Sequence, residues 1–188
     1  MEVGLGSSGF ALWVRADDFG LFKPLPASHM GRLGIDVTVS NSRFPAEEGV
    51  RRSIYSSILV TPRHPPAADA SAVEDLGFGP VPEGLRFFKA LPAPGPGSGV
   101  REDMFVPDGA IEGTGPYDIR EAIFCLSPES RHVREGGYPA GRRPCNWLLS
   151  HRGLELTLGL DRAHLARWRD VRAGVLALLD SFVADQKD

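Results

Sequence analysis

The spacing of apolar side chains changes along the chain, from a period of two to steps of three and four. Residues 34–40 show the first kind most clearly, with Ile35, Val37 and Val39 on one face and Asp36 and Thr38 on the other. That alternation predicts a half-buried strand. Residues 154–160 repeat it: Leu154, Leu156, Leu158 and Leu160 share a face, opposite Glu155 and Thr157. Shorter apolar runs bounded by turn residues predict strands at 10–15, 54–60, 85–91, 104–106, 119–126 and 145–150. The run at 54–60 stops at Thr61-Pro62, where proline breaks a strand ladder. Arg152-Gly153 predicts a hairpin turn between the last two strands. Ala70, Val73 and Leu76 predict a short helix within 67–77.

After Asp161 the period lengthens. Leu165, Trp168, Val171, Val175, Leu178 or Leu179, and Phe182 form one apolar stripe, with Arg162, Arg167, Arg169, Asp170 and Asp180 mostly off it. Asp161 stands where an N-cap belongs, so a helix is expected over 162–184. Strands first and one long helix last predict an α+β fold, an antiparallel β-sheet with a long C-terminal amphipathic helix packed on one face. The Pro- and Gly-rich residues 92–100 form the most evident loop. Neither flank offers a core of its own, so one domain over 1–188 is expected, with 92–100 as a long surface loop.

Composition agrees with a packed globular chain. Of 188 residues, 42% are hydrophobic and 24% charged, enough apolar material to exclude wholesale disorder. A formal net charge of −3 supplies no basic field for nucleic acid or an anionic membrane. No apolar run reaches the roughly 18 to 20 residues of a membrane-spanning helix. Residues 1–10 show no charged-then-apolar leader, so any export signal or anchor is expected outside the sequence.

Candidate chemistry is sparse. The two cysteines, Cys125 and Cys145, flank a loop rich in Gly, Pro and Arg. A bridge would stabilise that loop by about 3 kcal/mol through chain entropy. Two free buried thiols are the alternative, and the redox compartment decides between them. His132 and His151 could complete a zinc set with the cysteines, but the tight Cys-x2–4-Cys turn of structural zinc sites is missing. Neither cysteine precedes a predicted helix N-terminus that would stabilise a thiolate, and Gly-x-Ser-x-Gly is absent. Gly95-Pro-Gly-Ser-Gly99 lacks the Lys-Ser/Thr ending of a phosphate loop. Asp17-Asp18-Phe19-Gly20 predicts a turn, since adjacent strand carboxylates would point to opposite faces. No catalytic, metal or cofactor site is expected. The arginines between the cysteines suit an acidic protein partner better than nucleic acid, and a plain solvated loop equally well.

A resemblance covers the C-terminal part of the chain. Phe105-Val-Pro107, Gly115-Pro116, Ile123-Phe-Cys125, Cys145-Asn-Trp147 and the closing Leu165-x2-Trp168-x2-Val171 and Leu178-Leu-Asp-Ser-Phe182 carry it. This pattern resembles small exported or membrane-anchored bacterial immunity proteins, in which a cysteine pair straddles a variable loop and a Leu-x2-Trp helix closes the fold. The resemblance implies a protein that binds and neutralises a secreted antibacterial toxin in the periplasm, and with it a Cys125–Cys145 disulfide. The implied contact residues are Arg131, Arg134, Tyr138, Arg142 and Arg143. Alternatives from other classes are a hydrolase with a dispersed site, which a cluster of His29, His64, His132 or Asp17 would favour, and a cell-envelope accessory protein.

Overall fold

The computed structural model describes residues 9–21, 34–40, 44–61, 63, 81–91, 101–113, 115, 118–127, 130 and 144–184. Their elements run β1 (Gly9–Arg15), β2 (Gly34–Ser40), α1 (Ala46–Val60), β3 (Leu85–Phe88), β4 (Glu102–Pro107), β5 (Ala122–Leu126), β6 (Pro144–His151), β7 (Leu154–Asp161) and α2 (Trp168–Ala184). Seven strands make one sheet in the order β1-β2-β7-β6-β5-β4-β3. Every neighbouring pair is antiparallel. The fold is therefore α+β, as the order of periodicities predicts. The β1–β2 hairpin joins the last strand, β7, so it closes the sheet across most of the chain length.

Register aligns one side chain from each strand into a continuous row. Leu12, Val37, Leu158, Trp147, Ile123, Phe105 and Phe87 are successive partners from edge to edge. Because strand side chains alternate, this row and its neighbours two residues away turn one apolar face towards α2. Leu165, Val171, Val175 and Leu179 pack on that face. Trp147, wholly buried at its centre, is one of its largest members. Burying a large apolar side chain contributes about 1.5–3 kcal/mol, so the row supplies much of the folding drive.

The C-terminal segment begins differently from expectation. Residues Arg162–Arg167 form a 3₁₀ helix, and the α-helix starts at Trp168. Asp161 does cap the segment, its side chain accepting from the Ala163 amide at 2.9 Å. In a 3₁₀ turn residues i and i+3 lie one above the other. Arg162 and Leu165 are accordingly both buried, although the helical stripe placed Arg162 off the apolar face. Phe182, expected on the stripe, is 38% exposed.

Residues 54–60 are not a strand. They form the second half of α1, whose buried Ala46, Gly49, Val50 and Ile54 have helical spacing. Glu47 and Glu48 sit in its first turn, where carboxylates complement the helix dipole. The Arg63 guanidinium donates to the Ser57 and Thr61 carbonyls at its other end, at 3.1 and 2.8 Å. Burial holds Arg63 down at a pKa of about 10. Val50 and Ile54 pack with Met104, Val106, Ala122 and Phe124, covering the face opposite α2. The apolar Leu59 and Val60, which suggested a strand, point outward.

The remaining expectations divide. The β6–β7 hairpin turns at Arg152 and Gly153, both with positive φ (49° and 78°), the backbone of a two-residue type I′ turn. β5 begins at Ala122, and Ile119 makes only an isolated bridge with Ile111. The predicted helix at 67–77 and the loop at 92–100 lie outside the described residues.

Candidate interaction face

Two carboxylates interrupt the apolar face beneath the C-terminal segment, and an arginine from that segment meets each. Asp103 partners Cys125 in register and is almost wholly buried. Its Oδ2 accepts from Arg162 Nη1 at 3.0 Å, and its Oδ1 accepts from the Ala90 amide at 3.1 Å. Arg162 also donates to the Leu126 carbonyl at 3.2 Å and lies over the Phe105 ring. At the other end of β5, Glu121 accepts from Arg172 Nε and Nη2 at 3.0 and 3.1 Å. Glu121 Oε1 also accepts from Trp147 Nε1 at 3.0 Å. Two charge-assisted contacts thus fix where the helical segment sits on the sheet, which apolar packing alone specifies less sharply.

Trp168 meets Trp147 edge to face, with centroids 6.2 Å apart. Its indole N–H donates to the Glu83 carbonyl at 3.1 Å. Arg169 stacks over the same indole, its guanidinium carbon 4.9 Å from the ring centroid. Gly84 has a φ of +79°, and a Cβ there would come within 2.2 Å of Arg169 Nη2. Glycine therefore satisfies both the turn and the space that Arg169 fills. Trp168 and Arg169 line two adjoining clefts. One, of about 320 Å³, is completed by Pro107, Gly109, Ala110, Arg120, Glu121, Arg172 and Ala173. The other, of about 510 Å³, extends past Pro82, Glu83 and Arg167.

Charge is uneven along this face. The smaller cleft presents three guanidinium groups and one carboxylate, and Arg172 is committed to that carboxylate. Arg120 pairs with Glu112 at 3.1 Å. Glu112 also takes Arg51, whose hydrogen bond holds its carboxyl below the usual range. Arg169 is exposed and has no carboxylate partner among the described residues.

The sulfurs of Cys125 and Cys145 are joined, at 2.03 Å, between directly paired positions of β5 and β6. The bridge engages both atoms that a zinc set or a thiolate nucleophile would require. Arg131, Arg134, Tyr138, Arg142 and Arg143 lie outside the described residues, as do His29, His64 and His132. His151 ends β6, and its Nε2 lies 2.6 Å from Asp180 Oδ1, which Arg152 Nε also approaches at 2.8 Å. Those contacts clasp the β6–β7 turn to α2. Asp17 and Asp18 do form a turn, with Asp18 held to Arg15 at 2.6 and 2.8 Å. The Arg15 hydrogen bonds, then the Gly20 amide, lower Asp18 to about 2. Among the described residues no group of three or more His, Cys, Asp or Glu side chains could hold a metal ion. None of their helices is long and apolar enough to cross a membrane.

Asp103, Glu121, Arg172 and the Arg169 cleft escaped sequence reasoning. The available signal was a charged residue directly before an apolar strand run, at Asp103-Met104-Phe105-Val106 and at Glu121-Ala122-Ile123-Phe124.

The sheet and its C-terminal helix define an α+β class shared with a solved immunity protein. A structure of an immunity protein of the Stenotrophomonas maltophilia type IV secretion system matches this chain with a TM-score of 0.59 and 14% identity. The match covers 94% of this chain and 82% of that one, so the two share a fold. No family model matches the chain, and no curated protein matches it significantly.

Proposed function

We propose that this protein is an immunity protein that binds a secreted antibacterial toxin in the periplasm and neutralises it by occupying an essential surface. The fold match to a secretion-system immunity protein, over 94% of the chain, carries this reading. The Cys125–Cys145 bridge supports it, because disulfides persist in oxidising compartments such as the periplasm. The proposed contact surface is the segment between the cysteines, with Arg131, Arg134, Tyr138, Arg142 and Arg143 as contacts. Arg and Tyr are enriched among residues that dominate interface energy. A loop tied at its base loses less entropy on binding than a free one.

The test is co-expression with the product of the neighbouring reading frame directed to the periplasm, together with capture of a one-to-one complex. Growth rescue and a stable complex are expected. Absence of both, or rescue that depends on turnover of a substrate, rejects masking. Rescue and capture unchanged by Arg142→Glu with Arg143→Glu reject this surface and leave the function standing.

A further inference from the structure

We infer that the cleft at Trp168 and Arg169 is a second contact site, which takes a carboxylate-bearing segment of the protein partner. The inference rests on the toxin-binding reading for its partner, and on the cleft alone for its chemistry. The cysteine-bounded segment leaves the sheet at Leu126 and returns at Pro144. Arg120 and Glu121 precede the first residue of β5, so the cleft lies at the opposite end of that strand. Five residues of β5, at about 3.4 Å each, separate the cleft from the point where that segment leaves the sheet.

Four features make the cleft receptive. First, its carboxylate is already satisfied: Glu121 is 8% exposed and bound by Arg172 and Trp147. Incoming negative charge therefore meets an outward guanidinium surface. Second, Arg169 is exposed without a carboxylate partner among the described residues, so binding breaks no ion pair. Third, Arg169 is preorganised by the Trp168 ring and by the space over Gly84, which reduces the ordering cost of binding. Fourth, the half-buried indole gives an apolar wall for the methylene stem of a Glu or Asp side chain. A planar guanidinium can hold such a carboxylate through two parallel hydrogen bonds. A volume of about 320 Å³ suits one or two side chains. The net charge of −3 opposes extended binding of a polyanion such as nucleic acid.

The experiment uses the full chain in two arms. In the first, the Trp168 indole N–H resonance, assigned with Trp168→Phe, is followed while acetyl-Glu-Asp-Glu-Asp-amide, a Lys-Ser peptide or oligothymidylate is added. In the second, the affinity for the neighbouring toxin is measured for wild type, Arg169→Glu and the charge-matched control Arg52→Glu on α1. The acidic peptide should shift the indole saturably, and Arg169→Glu should abolish the shift. The same variant should weaken toxin binding by about tenfold or more, with Arg52→Glu unchanged and both variants melting as wild type does. Toxin affinity unaffected by Arg169→Glu overturns the contact site while the immunity reading survives. A shift with oligothymidylate alone overturns it in favour of nucleic acid. If wild type captures no toxin, the immunity reading fails, and the peptide titration alone then upholds or overturns the carboxylate cleft.

Discussion

Replacing Asp103 with alanine leaves the Arg162 guanidinium buried without its carboxylate. Both side chains are 1% exposed, so water cannot solvate the survivor unless the 3₁₀ segment lifts from the sheet. Breaking a buried ion pair at one partner costs about 3–5 kcal/mol, whereas an exposed pair is worth about 0–1. Arg86–Asp108, with side chains 50% and 58% exposed, is the internal standard for the second case. Asp103→Ala and Arg162→Met should therefore each cost about 3–5 kcal/mol, and Arg86→Ala less than about 1. The double variant Asp103→Val with Arg162→Met removes both charges, leaving the Ala90 amide without its acceptor and the Leu126 carbonyl without the Arg162 donor. Those losses cost about 1–3 kcal/mol. The singles thus sum to about 6–10 kcal/mol and the double reaches only about 3, a coupling of at least about 3. Urea unfolding followed by tryptophan fluorescence measures it. With a slope near 2 kcal/mol/M, each single should lower the midpoint by about 1.5–2.5 M. Singles costing less than about 1 kcal/mol, or a double equal to their sum, would refute the claim that this pair registers the helical segment on the sheet.

Three other outcomes are expected. Mass spectrometry without reductant should find the chain two hydrogens lighter than its reduced form, and Cys125→Ala with Cys145→Ala should lose about 3 kcal/mol, given a sequence separation of 20; two alkylatable thiols in the folded, air-purified protein would refute the bridge. Trp147→Ala should cost about 3–5 kcal/mol, and Trp168→Ala, truncating a half-buried ring, about 1–3, so the reverse order in urea unfolding would contradict the packing. Burial raises the Asp36 carboxyl above its usual value of 3.8, and its Oδ1 has no partner among the described residues. A raised carboxyl in the folded state binds more protons than the unfolded chain, so its penalty is full above the folded pKa and gone below the unfolded one. Asp36→Asn should therefore stabilise the protein at neutral pH, with a gain that shrinks as pH falls through the folded pKa towards 3.8; melting temperatures of the two proteins that stay parallel with pH would refute this.

The sequence by itself determined the features that neighbours along the chain decide. Alternation at 34–40 and 154–160 set which side chains face the core, the two residues at 152–153 set a hairpin, and Asp161 set where the helical segment begins. Each depends on residues within a few positions, so local periodicity and turn chemistry suffice. The run at 54–60 shows the limit of that information. Its apolar residues suit a strand, but the helical spacing begins eight positions earlier, at Ala46, and packing against the face of the sheet opposite α2 decides. Pairing β2 with β7 joins segments more than a hundred residues apart, and no local pattern names such a partner. Local pattern assigns Arg162 to a solvated face, because a charge is stable in the core only when its counter-charge is already there. That counter-charge, Asp103, lies 59 residues away. The Arg169 cleft likewise exists only where β4, β5, the turn at Gly84 and α2 converge, and long-range packing alone brings them together.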